Sequence, residues 1–121
     1  IGAQQISIDL PSNHLVQAIL NCFTRMRFVD KKTAELDFKQ KEDIGSAPKH
    51  LIPWFEYSKR PMAGTPICFG HWSMLGLIRR DDIVAIDTGC LWGGKLTAVR
   101  FPDRRIYQED CPCWADPFKY K

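Results

Sequence analysis

Residues 83–109 read IVAIDTGCLWGGKLTAVRFPDRRIYQE, and this stretch decides the class of fold. Ile83 to Ile86 is apolar at every position, so a strand there would bury both faces of its pleat, which predicts a place inside a covered sheet. The polar, glycine-rich run from Asp87 to Gly94 reads as the loop at the end of that strand. Residues 95–101 and 104–109 then read as the two arms of a hairpin turned at Pro102 and Asp103.

Working outward, LIPWFEY from Leu51 and PICF from Pro66 are further short β-type runs, each bounded by proline, glycine or charge. Asp30 to His50 is charged and turn-rich, a surface excursion with one short strand expected at Ala34–Phe38. Upstream of it, Leu15, Val16, Ile19, Leu20, Phe23 and Met26 recur at three- and four-residue intervals after an entry at Pro11, Ser12 and Asn13. That spacing predicts one amphipathic helix over 13–28. Its end carries Arg25 and Arg27, cations where the helix dipole favours them. The tail from Cys111 has no period and reads as a loop. One helix followed by about five strands, with the β-rich part at about 51–110, is an α+β or α/β arrangement, and one helix is too few to cover both sides of 83–86.

Composition narrows the classes. The 121 residues suffice for a single domain, 1–121, and the 45% hydrophobic and 26% charged fractions exclude disorder and fibrous repeats. A net charge of +3 excludes strong electrostatic DNA binding. The uncharged stretch Pro61–Ile78 is broken by Pro66, Gly64, Gly70 and Gly76, so no membrane helix is expected. IGAQQISIDLP has no basic head before an apolar core, so no secretory signal is expected either, and Ile1 suggests that a native start lies upstream. Five cysteines, an odd number without framework spacing, suit a reducing cytoplasm better than a disulfide scaffold.

Several residues are candidates for chemistry. His71, in Phe69-Gly70-His71-Trp72, follows a strand run and reads either as a strand-end ligand or as a histidine hydrogen-bonded near the sheet surface. Asp87 reads either as a ligand or histidine support, or as an Asx turn within its own loop. Thr24, Arg25 and Arg27 read either as a phosphate grip or as a solvated helix end. Cys111 and Cys113 in CPC lack a second ligand pair at zinc spacing, and Cys90 has no histidine nearby in sequence to make it a nucleophile.

Taken together, FTRMRF at 23–28, PWF at 53–55, FGHW at 69–72 and AIDTGCLWGGKLTAVRF at 85–101 resemble, in order and spacing, the carboxyl-terminal part of bacterial symmetrical diadenosine tetraphosphatases. These are calcineurin-like enzymes of the phosphoprotein-phosphatase-like metallophosphoesterase superfamily. The resemblance spans about residues 15–111. It implies the C-terminal part of an αββα sandwich with a pair of divalent metals, manganese, cobalt or magnesium, at the strand ends. It also implies hydrolysis of diadenosine tetraphosphate, or a related dinucleotide polyphosphate, to two ADP by the complete cytoplasmic enzyme. By the same resemblance His71 matches a metal ligand, Arg25 and Arg27 a contact to substrate phosphates, Trp92 a platform for adenine, and Asp87 a support for His71.

The family's other ligand motifs, GDxHG, GDxVxRG and GNH, occur nowhere in the 121 residues. The expectation is therefore a fragment that supplies one metal ligand and part of the substrate wall, is inactive alone, and self-associates through an exposed sheet edge. Two alternatives stay open: a non-catalytic nucleotide-binding or partner-dependent module, and a phosphoprotein phosphatase.

Overall fold

The computed structural model describes residues 11–41 and 43–119. The readings made on the first ten residues, the missing signal and the start at Ile1, lie outside these. The chain divides into two compact units, Ile1–Ala63 and Gly64–Lys121.

In the first unit a helix, α1 (Ser12–Arg25), leads to strands β1 (Phe28–Asp30), β2 (Leu36–Asp37) and β3 (Leu51–Pro53). The strands form an antiparallel sheet in the order β2-β1-β3, with Phe28 opposite both Asp37 and Pro53. The helix stops three residues short of the expected Phe28. Met26 is already extended, at φ −65° and ψ 127°, and the carbonyl of Arg27 accepts from the Trp54 amide at 2.9 Å. Strand pairing overrides the helical period here, because it places Phe28 in the sheet with no exposure at all. Val29, Leu36, Phe38, Leu51, Trp54 and Phe55 are buried with it, and the rings of Trp54 and Phe55 meet edge to face at 5.6 Å.

The apolar stripe of α1 faces outward. Val16, Ile19, Leu20 and Phe23 are exposed, Phe23 to 82%, while Ala18 and Asn21 are buried. The excursion from Asp30 to His50 is held by short carboxylate-to-amide bonds: Asp30 accepts from Thr33 and Lys32, and Asp43 caps a 3-10 turn at Ile44–Ser46.

In the second unit β4 (Ile67–Phe69), β5 (Ile78–Arg79) and β6 (Ile83–Ala85) form a sheet in the order β4-β6-β5, with β4 and β6 parallel and β5 antiparallel. Ile83, Val84 and Ala85 are each no more than 2% exposed. Since successive side chains point to opposite faces, the strand is covered on both, as its sequence requires. β7 (Asp87–Thr88), β8 (Lys95–Arg100) and β9 (Arg105–Asp110) form an antiparallel sheet, and the β8–β9 hairpin pairs from Lys95–Asp110 to Arg100–Arg105. The described residues thus hold nine short strands rather than about five. β5 and β7 are two residues long and carry no readable period, and LIPWFEY is extended only to Pro53 before a 3-10 turn at Trp54–Glu56. One helix with several small sheets is an α+β arrangement. No helix among the described residues is long and apolar enough to cross a membrane.

The surface carboxylates give the fold an acid limit. Main-chain amides of Thr33 and Lys32 hold Asp30 below its ordinary value of 3.8, Ser46 does the same for Asp43, and the Arg100 guanidinium does it for Asp103. A carboxyl depressed in the folded state stabilises fully above its unfolded value, and that stabilisation is lost as the pH falls through the folded one. The urea midpoint is therefore expected to be flat between about pH 5 and pH 7 and to drop below about pH 4. Asp30→Asn should shallow that drop, and an unchanged acid limb in this variant would refute the assignment.

Candidate functional site

β4 and β6 run parallel, so their carboxyl ends open on the same side, and this is where the second unit gathers its candidate residues. The amide of Ile86 donates to the carbonyl of Phe69 at 3.0 Å, which sets Gly70 beside Asp87. A Cβ added at Gly70 would stand 3.9 Å from that of Asp87. His71 is exposed and takes a φ of +73°, a left-handed turn that carries the chain off β4 into buried Trp72 and a 3-10 turn at Ser73–Leu75. β7 lies against that turn. Asp87 Oδ1 accepts from the Gly89 amide at 3.1 Å, the Asx-turn geometry of its own loop.

The loop from Asp87 to Gly94 is fixed from several directions. Its amides at Trp92 and Gly94 both donate to the Gly89 carbonyl at 2.9 Å, and the Gly94 carbonyl accepts from Cys111 at 3.0 Å. Trp114 and Ala115 donate to Leu91, and Trp92 pairs across to Cys113 as an isolated β-bridge. The chain beyond Cys111, read from sequence as a loop, is thus stitched to the loop at Asp87–Gly94. Thr88 and Thr97 add a hydroxyl pair at 2.6 Å, with Gln108 donating to Thr97 at 3.1 Å. Trp92 stands half-buried within this scaffold.

Cys90 and Cys111 are joined in a disulfide, with Cα atoms 5.2 Å apart. This corrects the expectation that the cysteines suit a reducing compartment better than disulfide pairing: the two sulfurs pair through the fold, across 21 residues, and spacing alone carries no sign of it. It also removes Cys90 as a nucleophile and Cys111 as half of a zinc-binding CPC. Cys22, Cys68 and Cys113 stay free, and burial pushes the thiols of Cys22 and Cys68 up. The sequence signal missed is Gly93-Gly94. Gly93 has a φ of +88° against Cys113, and Gly94 leaves no space for any side chain.

Arg25 and Arg27 stand in the first unit. Arg25 donates to Asn21 Oδ1 at 3.3 Å and lies over the Phe38 ring at 5.0 Å. The Arg27 Nε is buried with no hydrogen-bond partner among the described residues, and burial together with the charge of Arg25 lowers its pKa. Two guanidinium groups that repel one another, one with an unmet donor, form a place where an anion is stabilising. Among the described residues, no group of three His, Cys, Asp or Glu side chains is placed to hold a metal ion. A catalytic centre takes about three protein donors, so His71 and Asp87 do not make one by themselves.

No protein-family model matches the chain. It is 44% identical over 108 residues to the protein of Chromobacterium violaceum named bis(5'-nucleosyl)-tetraphosphatase, symmetrical, a match that covers 89% of this chain and 39% of that protein. Proteins of the same name from Acidovorax sp. and Ralstonia nicotianae are 43% and 41% identical, covering 88% and 95% of this chain and 39% and 41% of their own lengths. The chain thus spans about two-fifths of the length of the curated relatives that it matches. Through nine-tenths of its residues, this chain is a relative of the symmetrical bis(5'-nucleosyl)-tetraphosphatases and matches their C-terminal part.

Proposed function

We propose that this chain forms part of an enzyme that hydrolyses diadenosine tetraphosphate, or a closely related dinucleotide polyphosphate, to two ADP. The observation that carries the reading is the match, at 41–44% identity, to relatives named for that reaction. In this reading the chain is the carboxyl-terminal part of an αββα metallophosphoesterase sandwich. His71 is its one contribution to a manganese, cobalt or magnesium centre whose other donors lie outside these 121 residues. Asp87, fixed by the Asx turn of its own loop, supports the ligand. Arg25 and Arg27 bind the phosphate chain through charge-assisted hydrogen bonds. Trp92 offers adenine an indole face on a loop that main-chain bonds and a disulfide hold in place.

The test has two arms. The 121-residue chain incubated with manganese and diadenosine tetraphosphate should release no ADP above a metal-only control. A chimera that carries this chain in place of the matching portion of the Chromobacterium protein should release ADP, and Arg27→Ala in it should raise KM about tenfold with little change in kcat. An inactive chimera beside an active parent would overturn the assignment. Release of ADP by the chain alone would overturn its dependence on residues elsewhere.

A further inference from the structure

A second concave surface lies at the other end of the β4-β6-β5 sheet, between the turn that joins β5 to β6 and the turn of the β8–β9 hairpin. It is a cleft of about 480 Å³ with Val84, Val99 and Ile106 among its lining residues. The end of β5 and the turn after it contribute Arg79, Arg80 and Asp81 to its rim, and the hairpin turn contributes Asp103 and Arg104. The carboxyl ends of β4 and β6, with His71 and Asp87, face the opposite way.

The charges on the rim do not all cancel. Arg80 is matched by Asp82 through two bonds of 2.9 Å, and Asp103 by Arg100. Arg104 spends its guanidinium on neutral groups, donating to the carbonyls of Arg80 at 2.8 Å and Asp81 at 3.1 Å, and is in no ion pair among the described residues. The side chain of Arg79 makes no hydrogen bond or ion pair among the described residues, and neither does the carboxylate of Asp81. The cleft therefore combines an aliphatic floor, one carboxylate and two guanidinium groups that are in no ion pair, an excess of one positive charge. Arg104 also takes a φ of +59°, a turn position where glycine is the easier residue. Its two carbonyl bonds hold the guanidinium fixed at the rim before any ligand arrives, so little ordering entropy is lost on binding.

We infer that this cleft binds a nucleoside phosphate. The base lies on Val99 and Ile106, above buried Val84, the ribose hydroxyls donate to Asp81, and the phosphate meets Arg79 and Arg104. A bare anion would leave the aliphatic floor wet and Asp81 unmet, and an uncharged nucleoside would leave the excess positive charge of the rim unmet. The inference does not depend on the hydrolysis proposed above, because it concerns different residues and is read by binding alone.

The experiment titrates the isotopically labelled 121-residue chain with ADP, adenosine and inorganic phosphate in turn, following backbone amide shifts. ADP should move the amides of Arg79 to Val84 and of Asp103 to Ile106. Adenosine and phosphate should each bind at least about tenfold more weakly, and Arg79→Ala should weaken ADP about tenfold, since its exposed, unpaired side chain takes no part in the fold. Shifts confined to residues 87–94, or no shifts, would overturn the inference. So would an Arg79→Ala chain that binds ADP as tightly as the parent, or phosphate binding as tightly as ADP.

Discussion

Gly94→Ala is expected to destabilise the second unit by about 3 kcal/mol or more, the upper end of what overpacking does. A Cβ on Gly94 would run into the Thr88 carbonyl oxygen and stand 2.9 Å from that of Gly89. Both neighbours are backbone, so neither can rotate away as a side chain would. The main chain must move instead, and it is fastened on three sides: Gly94 donates to Gly89, accepts from Cys111, and begins the segment that pairs β8 with β7 and β9. Relief of the clash therefore breaks hydrogen bonds that are otherwise met. Gly64→Ala is the control, since nothing lies within 4 Å of its added Cβ, and its effect should stay within about 0.5 kcal/mol. Equilibrium urea unfolding of both variants checks the contrast. A Gly94→Ala chain as stable as the parent would show that the loop does not close as tightly as described.

The second large effect concerns the disulfide. Cys90 and Cys111 close a loop across 21 residues, and opening such a loop should cost about 3 kcal/mol through the entropy regained by the unfolded chain. The double variant Cys90→Ser, Cys111→Ser should show this loss. The main-chain bond from Cys111 to Gly94 survives the change, so the loop should weaken rather than disperse. Thiol titration supplies an independent check. Of the five cysteines, only Cys22, Cys68 and Cys113 are free, so three thiols should react in the unfolded but unreduced chain and five after reduction. Five reactive thiols before reduction would contradict the pairing.

Legibility from sequence followed physical scale. The burial of Ile83–Ala85 and the β8–β9 hairpin were readable, because an all-apolar run and a Pro-Asp turn are signals contained within a few residues. β5 and β7 were not, since a two-residue strand has no period and exists only through its partner. The end of α1 was misplaced because Met26 continues the helical spacing while Arg27 already belongs to the ladder with Trp54. Which way the helix faces was also beyond the period, which finds a stripe but not what meets it. At the candidate site, FGHW and IDTGCLWGG picked out residues that β4 and β6 do place at the same end of one sheet. The disulfide and the closeness of Gly94 to Thr88 stayed hidden, as both depend on distances between segments far apart in the chain.

The outward stripe of α1 sets how that helix holds together in time. Fourteen residues are near the length at which an isolated helix is marginal in water, and this one has no side-chain cap and no acidic residue in its first turn. Val16, Ile19, Leu20 and Phe23, which would ordinarily anchor it, contribute almost nothing while they face solvent. Its amides therefore exchange with water through local opening at a free energy well below that of the β6 amides, and α1 is the first element to come apart and the last to be protected.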